Sequence, residues 1–230
     1  MMKLNLASLP ATLRGIYGAT KDKLGAHQLF GHPDLASAIS RLESAGVRLI
    51  FSDIFRSAKG SLDARRAKPG LVQPPGYSAH NFGLAVDIDH AAIMKELRID
   101  KKKLDELLAS YGLFCHRTDH ALASEAWHYN ALGPGAERWL QPGAKSTAGA
   151  VEAKILSLYG PSFAMDETGL KEALASLQSD LIVQAKIKGA SGAELANYVR
   201  DFQRAWDLES DGVAGERTKR TLALVTAKRG

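Results

Sequence analysis

His80 and Asp87 lie seven residues apart with Gly83 between them, and His128 follows far downstream. These are zinc-type ligands, and bringing them together constrains the fold more than any other feature of the chain. Neighbours on one helix face stand three or four residues apart. A seven-residue step containing a glycine therefore suits a loop running into a strand, with one ligand on each. Asp87 closes the apolar run Leu84-Ala85-Val86, where an uncompensated carboxylate is costly. Binding a cation would offset that cost, and so would a hydrogen-bonded strand end. His128 stands between Trp127 and Tyr129 in a second strand-like piece, where a histidine can also be a satisfied core residue. Glu125, three residues earlier, falls on the opposite face of an ideal strand, so a bend is needed to bring both to one cavity. Structural zinc sites close with four protein ligands, whereas catalytic ones keep three and leave a position for water. Zinc lowers the pKa of that water to about 7. Three ligands and a spare carboxylate together point to hydrolysis.

Other ligand sets are weaker. His116 and His120 are four apart, but the helical hydrolase pattern is His-Glu-x-x-His and the interior here is Arg-Thr-Asp. Asp89 and His90 are expected to support the ligands from behind, and His27 and His32 to lie on a surface loop. Asp207, Glu209, Asp211 and Gly212 hint at a calcium loop, but its twelfth position is Thr218 rather than glutamate, which excludes it.

Around these residues the pattern mixes helix and strand. Leu35, Ile39 and Leu42 share a face at helical spacing, and Gly46 supplies a stop, predicting a helix over residues 33–46. Residues 47–55 alternate and are rich in β-formers, predicting a strand. Pro69-Gly70 and Pro74-Pro75-Gly76 mark a loop over 68–77. A short buried strand is expected over 83–88, a helix over 91–111, and two more strands over 113–116 and 126–129. Residues 141–150, Gln-Pro-Gly-Ala-Lys-Ser-Thr-Ala-Gly-Ala, have the composition of a linker. Helical patterns follow over 151–159, 168–187, 192–206 and 217–227. A mixed segment followed by an all-helical one argues for two domains, expected at 1–142 and 151–230 with the linker at 143–150.

Residues 1–150 carry 19 Lys and Arg against 14 Asp and Glu, while residues 151–230 carry 11 of each. The positive excess of the first part favours polyanionic partners, cell-wall polymers among them. No aromatic–basic interleaving argues for nucleic acid, and the neutral tail argues against it. Lys101-Lys102-Lys103 is read as a solvated helix face. Cys115 is the one cysteine, so no intrachain disulfide forms, and a buried structural role in a strand is expected. No stretch approaches the ~20 apolar residues of a membrane span. Residues 1–10 lack a long apolar core, so no secretory signal of the usual kind is expected.

The run Ser78-Ala-His80-Asn81-Phe82-Gly83-Leu84-Ala85-Val86-Asp87, followed by Glu125-Ala126-Trp127-His128, resembles the zinc peptidases of the D-alanyl-D-alanine carboxypeptidase family. It looks closest to the phage endolysins that cut the L-alanyl–D-glutamate bond, as does Lys68-Pro69-Gly70, and the likeness spans roughly residues 45–132. The implied fold is α+β: a small antiparallel sheet with helices carries the metal, and a small all-α three-helix domain follows. The resemblance implies His80, Asp87 and His128 as zinc ligands and Glu125 as catalytic acid/base. It implies Arg56 as the group steadying substrate or oxyanion, with Ser78 and Trp127 as substrate contacts. Phe55 stands where the family usually has tyrosine.

The tail resembles a peptidoglycan-binding module over residues 199–222, although residues near Leu177-Gln178 fit its pattern poorly. Phe202, Gln203, Asp211, Gly212, Gly215 and Thr218 are the implied wall-binding positions. Gly212 and Gly215 are both able to adopt positive φ there, and Thr218 or a neighbour is expected to cap the last helix. Such a tail would raise effective concentration on an insoluble polymer, leaving cleavage of soluble fragments independent of residues 151–230. The implied partner is peptidoglycan, met by a monomer made in a host cytoplasm and released to the wall. A carboxypeptidase trimming terminal D-alanine and a non-catalytic wall-binding protein remain as alternatives.

Overall fold

The computed structural model describes residues 3–9, 14–15, 30–69, 72–117, 119–122, 125–134, 136, 140 and 165–229. The expected linker at 143–150, the expected helix at 151–159 and His27 lie outside them. Strands are β1 (Lys3–Leu4), β2 (Ala7–Ser8), β3 (Arg14–Gly15), β4 (Phe30–Gly31), β5 (Ile50–Asp53), β6 (Ala85–Ile88), β7 (Phe114–Cys115), β8 (His128–Asn130) and β9 (Lys228–Arg229). Helices are α1 (Pro33–Ser44), α2 (Ala58–Ala67), α3 (His90–Leu97), α4 (Lys101–Ser110), α5 (Glu167–Ser176), α6 (Leu181–Gly189), α7 (Gly192–Ala205) and α8 (Glu216–Val225). No helix among the described residues is long and apolar enough to cross a membrane.

The chain forms two compact units. A sheet unit comprises Asn5–Ser57 and Ser78–Lys154, and a helical unit comprises Met1–Leu4, Ala58–Tyr77 and Ile155–Gly230. This division runs along a different line from the boundaries expected above, because residues 58–77 and the start of the chain group with the C-terminal segment.

In the sheet unit, α1 starts where the sequence places it. Its cap is His32, whose Nδ1 accepts the Asp34 amide at 3.2 Å, and Pro33 supplies a φ already set for the first turn. His32 is therefore buried rather than on a surface loop. Leu35, Ala38, Ile39 and Leu42 form the buried face of α1, and Gly46 turns the chain out at φ 83°. The main sheet has the order β3-β5-β6-β8-β7. β5, β6, β8 and β7 run antiparallel, while β3 joins β5 in parallel. The single helix expected over 91–111 is two helices. α3 ends at Arg98 in the left-handed region (φ 54°), and Asp100 caps α4 by accepting the Lys103 amide at 2.8 Å.

Lys101 opens α4 and is buried, not solvated. A buried ammonium needs a charged partner and full hydrogen bonding. Asp105 supplies the charge, and the Tyr129 hydroxyl lies 3.1 Å from Lys101 Nζ. Cys115 is buried in β7 with its Sγ 3.3 Å from the same ammonium. This network ties α4 to β7 and β8, the edge of the sheet that carries His128.

In the helical unit, β1 and β9 pair in parallel. The expected three helices of the tail are four among the described residues, because the pattern over 168–187 breaks at Asp180. That side chain accepts the Ile182 and Val183 amides and starts α6 anew. Leu170, Leu174, Ile187, Leu195, Val199, Phe202 and Leu222 form the core of α5 to α8.

Candidate metal centre and active site

Register places the first two ligands. β6 and β8 are neighbours, and Asp87 stands directly opposite His128. His80 arrives from a 3-10 turn, Ala79–Phe82, which begins at Ser78, whose hydroxyl accepts the His80 amide, and ends at Gly83 with φ 68°. A Cβ on Gly83 would lie 2.7 Å from Leu6 Cδ2 and 2.9 Å from the His32 nitrogen, so only glycine lets the turn close against the entry to α1. The Gly83 carbonyl accepts the His32 amide at 2.8 Å.

The three side chains converge. Asp87 Oδ1 lies 3.1 Å from His80 Nε2 and 2.8 Å from His128 Nδ1, and the two ring nitrogens are 3.2 Å apart. His80 Nδ1 is 2.6 Å from the Ile54 carbonyl. A carbonyl can only accept, so Nδ1 carries the proton and Nε2 presents its lone pair to the centre. Two imidazole nitrogens and one carboxylate oxygen, with no fourth protein ligand among the described residues, match in number and kind the donors that catalytic zinc sites use. The residues fit that ion. Burial by itself would raise the Asp87 pKa, but in the metal-free site, where the imidazoles are free to take up a second proton, His80 and then His128 outweigh it. They hold the carboxyl well below its ordinary range, ready as an anionic ligand.

Glu125 sits at φ 62°, and its carbonyl accepts the His128 amide at 3.0 Å. The chain thus turns tightly between Glu125 and His128. Its side chain is half exposed, with Oε2 3.4 Å from His116 Nε2. The His116 amide in turn donates to the His128 carbonyl at 2.9 Å. Arg56 follows β5. Its amide donates to the His80 carbonyl at 3.0 Å and its carbonyl accepts Asn81 Nδ2 at 2.9 Å, so its backbone is tied to the turn that carries His80. Its guanidinium rests on Asp53, with Nε 2.9 Å from Oδ2. Trp127 is exposed and Ser78 half-buried.

Asp53 and His116 are the two partners that sequence reasoning missed. β5 carries Asp53 opposite Asp87, and β7 brings His116 to β8. Only pairing between distant strands reveals either role. The rival set does not converge, since His116 faces Glu125 whereas His120 Nδ1 lies 2.7 Å from Asp105. Asp89 does not support the ligands, because its carboxylate caps α3 at the Ala92 amide. His90 faces Lys101 and Asp105, and burial followed by the Lys101 charge lowers its pKa.

The implied wall-binding residues divide into a buried group and a group on the 211–215 loop. Phe202, Gln203 and Thr218 are buried. The two hydrogens of Gln203 Nε2 are shared among three acceptors within 3.0 Å, Asp211 Oδ1, the Val213 carbonyl and Thr218 Oγ1, while its Oε1 accepts the Gly212 amide. One amide group thus holds the 207–215 loop together and is spent internally. Asp211 is held below the ordinary carboxylate range by the Val213 amide and Gln203. Gly212 has φ 80° as expected. Gly215 has φ −67° and is itself the N-cap of α8, three residues before Thr218. Among the described residues of this unit, one groove of about 480 Å³ runs past Leu177, Gln178, Tyr198 and Trp206, and another of about 340 Å³ is lined in part by Gly192, Gly212 and Lys219.

Residues 168–222 match the family model described as "Putative peptidoglycan binding domain". The match runs through Leu177-Gln178, where the sequence pattern fitted poorly. Among solved structures, the chain is similar to the LD-carboxypeptidase LdcB, described for its peptidoglycan recognition, at 17% identity. The likeness covers 64% of this chain and 77% of that one with a TM-score of 0.42. It is also similar to the vancomycin-resistance D,D-pentapeptidase VanY in complex with Zn(II), at 19% identity, covering 58% and 87% with a TM-score of 0.32. No match was found among curated proteins.

Proposed function

We propose that the chain is a zinc-dependent peptidoglycan peptidase that hydrolyses an amide of the peptide stem, the L-alanyl–D-glutamate bond, and that its C-terminal module engages the wall. The observation that carries this reading is the convergence of His80, Asp87 and His128 beside a turn that presents Glu125. The family match over residues 168–222 supports the choice of polymer, and the likeness of residues 78–87 to the endolysin motif supports the choice of bond.

Zinc held by the three ligands would supply Lewis acidity, acidifying water and polarising a carbonyl. The chain's own residues do the rest. Glu125 accepts the proton of the attacking water at its carboxylate and returns it to the leaving amine, a role of about 10²–10⁴ in rate. Arg56, oriented by Asp53, offsets the charge that develops on the oxyanion, for which a well-placed donor contributes about 10²–10³. Trp127 and Ser78 offer contacts to the stem. Tyr198 and Trp206 offer aromatic faces to the wall. The proposed place of action is the cell wall.

Digestion of purified peptidoglycan followed by mass spectrometry tests the reading. New amino-terminal D-glutamate stems and carboxy-terminal L-alanine are expected. Free D-alanine would instead make it a carboxypeptidase, and no product from zinc-loaded protein would leave it a wall-binding protein.

A further inference from the structure

The groove past Tyr198 and Trp206 has a volume of about 480 Å³, within the ~300–1,000 Å³ of clefts that take small ligands. All of its lining comes from α5 to α8 and the turns that end them, inside the helical unit. Leu174, Ile187 and Phe202 reach it from the buried core of that unit. Tyr198 and Trp206 pack against the same core and stay partly exposed. Spacing along the chain explains the aromatic wall. Tyr198, Phe202 and Trp206 follow one another at four-residue steps on α7 and its C-cap, which places them on one helix face. The Phe202 and Trp206 ring centres are 6.1 Å apart, with their planes inclined by 33°.

Charge selects which part of a wall polymer suits this lining. Its one charged member among the described residues is Asp201, an acid. A peptide stem carries free carboxylates. No lysine, arginine or histidine in the lining offers them a counter-charge, and Asp201 repels them. The N-acetylated sugars of the glycan strand carry no charge. Their pyranose rings and acetyl methyls present apolar faces to aromatic side chains, and their hydroxyl and amide groups match the hydrogen-bonding ends of Tyr198, Gln178 and Asp201 in the same lining. The groove of about 340 Å³ differs, because Lys219 lines it. Apart from Val225, every lining residue of the aromatic groove falls within the stretch 168–222 that matches the peptidoglycan-binding model.

We infer that the groove of α5, α6 and α7 is a saccharide subsite: it takes an N-acetylated sugar of the glycan strand against Tyr198 and Trp206 and leaves the peptide stem unbound. This rests on the reading that the C-terminal module engages the wall, and it names the part of the wall that is held. A module that grips glycan does not compete for the stem that is to be cut.

The test uses the full-length, zinc-loaded chain carrying Glu125→Gln, so that stems survive the measurement. Its tryptophans are fluorine-labelled, and Trp206→Phe assigns the Trp206 resonance. The probes are a soluble β-1,4-linked N-acetylglucosamine tetramer, which has no stem, the free stem peptide L-alanyl-γ-D-glutamyl-L-lysine, and intact sacculi in a pull-down. The tetramer should shift the Trp206 resonance saturably, and equally at low and high salt, because screening acts between charges. The stem peptide should leave that resonance unmoved. Trp206→Ala and Tyr198→Ala should each weaken sugar binding at least about tenfold by calorimetry, as truncation of an aromatic anchor does. Trp206→Phe keeps a ring and should recover most of the affinity. Tyr198→Ala decides the matter if Trp206→Ala does not fold. A Trp206 resonance moved by the stem peptide and not by the tetramer overturns the assignment, as does undiminished sugar affinity in Tyr198→Ala. Sacculi that retain the chain while the tetramer moves nothing overturn the saccharide subsite alone. Sacculi that fail to retain it remove the wall-engaging reading, and the subsite falls with it.

Discussion

The hydroxyl of Tyr77 is buried and has no hydrogen-bond partner among the described residues. Burial pushes its pKa up to about 12, although the Arg220 charge pulls the other way. Between pH 10 and about 12 the unfolded chain has released this proton and the folded chain has not. Stability therefore falls as pH rises through that window and is fully present below it. Tyr77→Phe should remove this alkaline component and leave the melting temperature at neutral pH unchanged or raised, since it deletes an unsatisfied group. Melting curves from pH 8 to 12 check it. His116 belongs to the same scale. Replacing the partner of Glu125 by alanine should keep the zinc and cost roughly 10–100-fold in kcat, as loss of a group that orients site residues does. Paired zinc analysis and kinetics check that. His80, Asp87 and His128 could be singled out because their residue types recur in a motif that resembles a known family, and the structure brings the three together. Asp53 and His116 could not, because an aspartate near a strand end and a histidine after a cysteine say nothing until β5 and β7 are placed beside their neighbours.

Elements were readable where apolar spacing spoke and unreadable where a cap overruled it. The buried face of α1 matched its pattern. The patterns over 91–111 and 168–187 ran on because leucines keep helical spacing across both breaks. The breaks come from Arg98 in the left-handed region and from Asp100 and Asp180, whose carboxylates capture the amides of new first turns. Asp180→Ala should accordingly cost about 1 kcal/mol of stability, read by denaturant titration. The turn at Gly83 is under tighter constraint, combining positive φ with close neighbours on two sides. Gly83→Ala should destabilise by roughly 2–5 kcal/mol and lower zinc affinity, because the turn it distorts carries His80. Calorimetry and metal titration would register both.

At the scale of the molecule, the sequence announced a mixed segment and a helical one, but not that residues 58–77 belong with the latter. That grouping depends on contacts such as Thr221 to Pro75, between residues too distant in the chain for any local pattern to show. The measurement that tests the central claim most directly is metal stoichiometry beside wall digestion, in wild type, Asp87→Asn and Glu125→Gln. Wild type should hold one zinc per chain and digest the wall. Glu125→Gln should hold the zinc and lose at least about 10² in rate, and Asp87→Asn should lose both metal and activity. Digestion by metal-free protein, or zinc retained at full stoichiometry without Asp87, would contradict the account.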